Sequence, residues 1–316
     1  MNAKITAMPR RHVIGCGILA LTRAAWAEPP AGFEPLPAQV TITESQLTTA
    51  VLIDGKGPFQ FIVDTGADRS VIAEDVAKAL HLPIGRTVIV QGIIRAIPAP
   101  TVPVAELRFG SEVRNDLEVP VLPRALLKAD GFLGLDAIGK NRVVFDFRKR
   151  TLRVAGPQPD FFLMHRGNRE SYIGAPGDAG HLRSSACHID GVLASAFIDT
   201  GAEVSVGNEA LRRALMATGR SFGRERDIVL TGITGGSCPG KVLRLKAIGL
   251  GDLEFTGCEI AVADLDVFKI WDLADRPALL IGLNFLRQFQ IVTIDYHRQE
   301  FRLKLASSSW VNKKPA

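Results

Sequence analysis

Residues 61–72 read FIVDTGADRSVI, and residues 196–206 read AFIDTGAEVSV. Each stretch runs from apolar residues into Asp-Thr-Gly-Ala, an acid, one further residue, Ser and an aliphatic residue. A lone Asp-Thr-Gly carries little weight, because any turn can use Asp and Gly. The two copies gain weight from their surroundings, which repeat in the same order. Upstream lie Ile53-Asp54-Gly55 and Ile189-Asp190-Gly191. Downstream lie VIVQG (88–92) and IVLTG (228–232), then GFLGLD (131–136) and LIGLN (280–284), then VVFDF (143–147) and VTIDY (292–296). Matched landmarks in matched order identify an internal duplication.

The pattern between the landmarks predicts a mostly β chain. Strand-length runs rich in Val, Ile, Leu and Phe are separated by Gly or Pro in both halves. One helix follows each Asp-Thr-Gly: AEDVAKAL (73–80) and NEALRRALMAT (208–218) place apolar residues at helical spacing. Residues 156–180 are rich in Gly and Pro and read as the connection between the copies. The expected organisation is therefore a leader (1–27), a first lobe (28–155), an interlobe linker (156–180), a second lobe (181–306) and an exposed tail (307–316).

The chemistry wants two copies. An apolar-Asp-Thr-Gly loop presents one carboxylate, the Gly lets another backbone approach closely, and the Thr hydroxyl can bond across a symmetric junction. Two carboxylates held together cannot both ionise freely and so share a proton. One can then take a proton from water while the other donates to a carbonyl oxygen. This makes Asp64 and Asp199 the candidate catalytic pair. Thr65, Gly66, Thr200 and Gly201 are the residues that support the loops. Asp68 and Glu203 read as local contacts.

With those residues in view, the halves resemble the lobes of aspartic proteases. Their size and the Ala at 67 and 202 are closer to the retropepsin type than to pepsin. The resemblance covers roughly residues 40–155 and 180–305. It implies a bilobal acid-protease fold with a β-barrel-like lobe on each side of a cleft. Flaps would lie around Gly92 and around Gly232–Gly236. It also implies hydrolysis of protein or peptide substrates with no cofactor and no metal. Phe132-Leu133-Gly134 and Leu280-Ile281-Gly282 match the apolar-apolar-Gly element that passes behind each active-site loop in that family. The first flap candidate has no Tyr, unlike pepsin. Pepsin-like relatives with Ser or Thr after the Gly can hydrogen-bond the ionised carboxylate; Ala cannot, so the acid limb of activity is expected at less extreme pH. About ten residues separate the leader from the first lobe, which leaves no room for a pepsin-like propeptide. Two other readings stay open: a noncatalytic peptide-binding protein of the same architecture, and a chain whose dyad forms only on dimerisation. The expectation is activity as a monomer.

Composition sets the remaining bounds. The 316 residues are 47% hydrophobic and 22% charged, as in ordinary globular proteins. The formal charge of +5 includes Lys4, Arg10, Arg11 and Arg23 in a leader without acids, so only about +1 belongs to the rest. Nothing there points to nucleic acid. The leader has basic residues, a short apolar run (Val13 to Leu21) and Ala25-Trp26-Ala27, a fit to an export signal with cleavage after Ala27. Nine apolar residues are too few to span a bilayer, so no stable membrane anchor is expected. Arg10-Arg11 before His12-Val13-Ile14 is a loose twin-arginine pattern, and the expected destination is the periplasm. A buried or disordered extension and a lipoprotein box at Cys16 are the competing readings of the leader. Cys187, Cys238 and Cys258 would remain after cleavage; the pairing expected is Cys238 with Cys258, against three unpaired thiols. Gly235–Lys241, GGSCPGK, has phosphate-loop spacing, but Val242 stands where Ser or Thr is needed. The six histidines make no zinc spacing.

Overall fold

The computed structural model describes residues 38–42, 46–139, 142–155, 170–174, 183–219, 225–251, 253–305 and 311–313. The leader, most of the linker and most of the tail lie outside the described residues.

The first lobe is a closed six-stranded barrel. Its strands run in the order Leu47–Ile53, Lys56–Val63, Gly131–Leu133, Val71–Ala73, Glu112–Leu122 and Ala96–Phe109. Closure comes from Leu52 and Ile53 pairing with Arg108 and Leu107. The first hairpin turns at Asp54-Gly55, both with positive φ (49° and 74°), the geometry that joins twisted strands in two residues. The Asp54 carboxylate accepts the Glu106 N–H at 2.8 Å and ties that turn to the next long strand.

The second lobe repeats the order: Arg183–Ile189, Val192–Ile198, Ala278–Ile281, Val206–Gly207, Glu259–Ala263 and Ser237–Arg244. Its turn is Asp190-Gly191, again with both φ positive (47° and 86°). One difference stands out. The single strand 96–109 of the first lobe is broken here into 237–244 and Ala247–Leu250, and the second piece pairs with 183–189.

Both helices expected after the motifs are present, as Glu74–Ala79 and Glu209–Ala217. They bury Val76 and Ala77, and Ala210, Leu211 and Leu215, on their inward faces. Asn208 caps the second helix, accepting the Leu211 N–H at 2.8 Å. Short helices at Arg124–Leu127, Leu135–Ile138, Asp266–Ile270 and Leu283–Leu286 add to these.

The lobes share a six-stranded antiparallel sheet. Its order is Glu170–Gly174, Glu300–Leu305, Phe289–Asp295, Arg142–Asp146, Thr151–Ala155 and Ala38–Ile42. At its centre Phe145 faces Val292, Val144 faces Thr293 and Val143 faces Ile294. Residues 143–147 and 292–296 are the repeated segments, so the pseudo-twofold axis passes between Val144 and Thr293. Val143, Phe145, Val292, Ile294, Phe301 and Leu303 are buried on one face of this sheet.

Residues 170–174, inside the stretch read as linker, form an edge strand beside Glu300–Leu305. Residues 311–313, inside the stretch read as tail, pair with Leu253–Thr256. The expected Cys238–Cys258 disulfide is absent: all three cysteines are free. Cys238 lies on the strand 237–244, while Cys258 bonds through its carbonyl to Leu245, seven residues further along. At ~3.4 Å per residue that is roughly 24 Å, far beyond disulfide reach.

Candidate active site

Each candidate aspartate sits at the end of a central barrel strand. Asp64 follows Lys56–Val63, and Asp199 follows Val192–Ile198. The short strands 131–133 and 278–281 run parallel to them and fix where they end. The Asp64 N–H donates to Leu133 O at 2.9 Å, and the Asp199 N–H donates to Ile281 O at 3.0 Å.

Behind each loop a serine completes the frame. Ser70 Oγ donates to Asp136 Oδ1 at 2.7 Å and accepts the Gly134 N–H at 3.0 Å. Ser205 Oγ donates to Asn284 Oδ1 at 2.8 Å and accepts the Gly282 N–H at 3.1 Å. The backbone repeats the match, with Leu135 N–H to Ala67 O and Leu283 N–H to Ala202 O, both at 2.8 Å. Ser70 and Ser205 were visible as repeated letters. Their role was not, because their partners lie 66 and 79 residues away.

The two loops lock together through their threonines. The Thr65 hydroxyl donates to Ile198 O (3.2 Å) and accepts the Thr200 N–H (3.1 Å). The Thr200 hydroxyl donates to Val63 O (2.7 Å) and accepts the Thr65 N–H (3.1 Å). Both threonines are buried. Both threonine hydroxyls and both threonine N–H groups are thereby paired, as a buried polar cluster requires.

That junction sets the carboxyls side by side. Gly66 lies against Asp199 and Gly201 against Asp64. Asp64 Oδ1 accepts the Gly66 N–H at 2.8 Å. Asp199 Oδ1 accepts the N–H groups of Gly201 at 2.8 Å and Ala202 at 3.1 Å. Each carboxyl thus lies against the glycine that follows the other. Burial, and then the charge of Asp199, raise Asp64 well above the usual carboxyl range, and the N–H groups of Gly66 and Ala67 only partly oppose this. Such a pair holds a proton between its members at pH values where separate carboxyls would have lost theirs.

Two hairpins meet beyond the loops. Thr87–Gln91 turns at residues 92–95 into the strand starting at Ala96, and Arg226–Thr231 turns at 232–236 into the strand starting at Ser237. Arg95 Nε donates to Thr234 O at 2.9 Å, and Thr234 Oγ1 donates to Arg95 O at 2.8 Å. The Val267 N–H of the second lobe donates to Ile93 O at 3.2 Å, so the first tip reaches across to the opposite lobe. Residues 235–241, with their phosphate-loop spacing, belong to the second hairpin and not to a loop-helix turn.

The sequence model of the aspartyl protease family matches residues 49–137 and again residues 186–285. The chain belongs to the aspartyl protease family. One match falls on each lobe, a tandem two-lobe arrangement within a single chain. No curated protein matches it significantly.

In this member of the aspartyl protease family the structure also brings residues beside the paired loops that the sequence did not single out. Trp271 stacks on Phe197, two residues before Asp199, with ring centroids 4.5 Å apart and planes 22° apart. Tyr296 and Phe301, from the shared sheet, line a small cavity with Asp199 and Thr65. Tyr296 was visible only as the last letter of VTIDY; nothing local ties it to a motif 97 residues earlier. No helix among the described residues is long and apolar enough to cross a membrane.

Proposed function

We propose that this protein is an aspartic endopeptidase in which Asp64 and Asp199 form the catalytic dyad within one chain. The observation that carries the reading is the pair of buried carboxyls set side by side on duplicated loops that their threonines lock together. In the resting pair Asp199, whose Oδ1 accepts two loop N–H bonds where Asp64 Oδ1 accepts one, is the carboxylate, and Asp64 holds the proton. Asp199 takes a proton from water as its oxygen bonds to the peptide carbonyl carbon. Asp64 gives its proton to the carbonyl oxygen, which yields a gem-diol. On collapse, Asp199 returns its proton to the amide nitrogen, the C–N bond breaks, and Asp64 takes a proton from a diol hydroxyl. The dyad is restored, and no covalent enzyme intermediate forms. Gly66 and Gly201 allow the approach, and Thr65 and Thr200 hold it.

The substrate is an extended protein or peptide segment bound under the two hairpin tips. The basic leader with Ala25-Trp26-Ala27 supports export to the periplasm, with Arg10-Arg11 favouring the twin-arginine route. Both halves of the dyad lie in one chain, which supports a monomer as the active unit.

The test is cleavage of a diverse peptide library by residues 28–316 over about pH 3.5 to 7, the range open to a shared-proton pair. Asp64→Asn and Asp199→Asn should each abolish cleavage without unfolding the protein. Folded wild type that binds peptides and cuts none would replace this reading with a peptide-binding role.

A further inference from the structure

The two halves differ beneath the dyad. The shared sheet is symmetric about Val144 and Thr293, so Tyr296 corresponds to Phe147 of the first half. The rings match, but only Tyr296 carries a hydroxyl. It lines a cavity about the size of one water, together with Asp199, Thr65, Phe197, Trp271 and Phe301. Burial, and then the charges of Asp64 and Asp199, keep the phenol protonated far above its ordinary range, so it is a neutral donor at every working pH.

The other charges on the surrounding elements are turned away or already engaged. Arg298 pairs with Asp295, and Arg302 with Glu300. Lys269 pairs with Asp264 and Asp266, and Arg276 with Asp272. Asp68, Arg69, Glu203 and His297 are exposed. Asp64 and Asp199 are the charges that act on the phenol.

We propose that Tyr296 is a positioning residue of the dyad: its hydroxyl donates through a water in this cavity toward Asp199, holding it as the carboxylate and leaving the shared proton on Asp64. The backbone biases the pair in the same direction, because Asp199 Oδ1 accepts two N–H bonds within 3.1 Å. The proposal rests on the dyad assignment above, and its test is readable without turnover.

The experiment is a ¹³C-carboxyl titration of the aspartates in wild type, Tyr296→Phe and Phe147→Tyr, with peptide kinetics alongside. In Tyr296→Phe the lower step of the dyad should rise by about one pH unit, roughly the effect of losing one hydrogen bond to a charge. kcat should fall about tenfold with KM within about twofold, the same bond expressed as a rate. Phe147→Tyr should leave the lower step in place. The chain has two tyrosines. Fluorotyrosine in a Tyr172→Phe background therefore alters only the Tyr296 phenol at nearly constant volume, and this stronger donor should move the lower step down. An unmoved lower step in Tyr296→Phe, an equal shift in Phe147→Tyr, or a rise in KM alone would overturn the proposal. Absence of cleavage in wild type would fail the dyad assignment separately, because the titration does not depend on it.

Discussion

Gly201 lies against the carboxyl of Asp64 so closely that a Cβ there would sit 2.5 Å from Asp64 Oδ2. Gly66 stands in the same relation to Asp199, where a Cβ would sit 2.7 Å from Cγ. Neither carboxyl can withdraw without breaking its own bonds to the loop. Gly201→Ala should therefore push Asp64 off its partner while the barrels stay intact. The expected loss is about a hundredfold or more in kcat/KM, the scale on which ångström misplacements act. Kinetics together with an unchanged circular dichroism spectrum check it; near-normal activity would mean that the two loops are looser than they stand here.

The threonine junction should matter more to stability than to chemistry. Thr200→Val keeps the volume but leaves Val63 O and the Thr65 N–H buried without a partner. A cost of about 2–6 kcal/mol is expected, at about 1–3 kcal/mol for each of the two unsatisfied groups. Thr200→Ser keeps the hydroxyl and should cost about 1 kcal/mol, for a lost methyl. Urea unfolding of both variants separates the hydrogen bonds from the packing. Equal losses in Val and Ser would assign the effect to the methyl.

Asp64 makes stability depend on pH in an unusual direction. Its folded-state value is raised, so the folded protein holds this proton more tightly than the unfolded chain does. That contribution is fully present below the ordinary value of 3.8 and is lost as pH rises through the raised one. Asp64→Asn has no such proton to lose. The variant, inactive in cleavage, should gain stability relative to wild type between pH 4 and pH 7. Denaturant unfolding at the two values measures it. A stability gap that stays constant or closes would contradict the buried, raised carboxyl.

The duplicated Asp-Thr-Gly, the two helices and the mostly β character were all legible because each is a local pattern. Asp54-Gly55 and Asp190-Gly191 were legible as repeated landmarks, and the structure shows that each is a hairpin turn. What escaped the sequence depends on distant partners. Ser70 needs Asp136, and Thr234 needs Arg95, 139 residues away. Residues 170–174 and 311–313 became strands because edges at 300–305 and 253–256 were open to them. The disulfide expectation failed for a related reason. Counting cysteines ignores register, and register puts Cys238 and Cys258 at opposite ends of one strand pair.

The hairpin tips give the last prediction. A Cβ on Gly92 would lie 2.9 Å from Thr234 Cγ2 and still closer to Oγ1, so Gly92→Ala cannot keep the tips as they are. Thr234 is fully buried and donates to Arg95 O, so the clash falls on the contact that joins the two hairpins. If this joined arrangement is the one that encloses substrate, Gly92→Ala should raise KM and lower kcat together, as hinge and lid changes do. Thr234→Ala removes both offending atoms at the cost of one hydrogen bond and should be the milder change alone. In the double variant it should restore part of what Gly92→Ala loses, a coupling of about 1 kcal/mol or more expected of residues in direct contact. Steady-state kinetics of the four proteins close the cycle. Simple additivity of the two losses would show that the tips act apart during turnover, and that their contact belongs only to the resting enzyme.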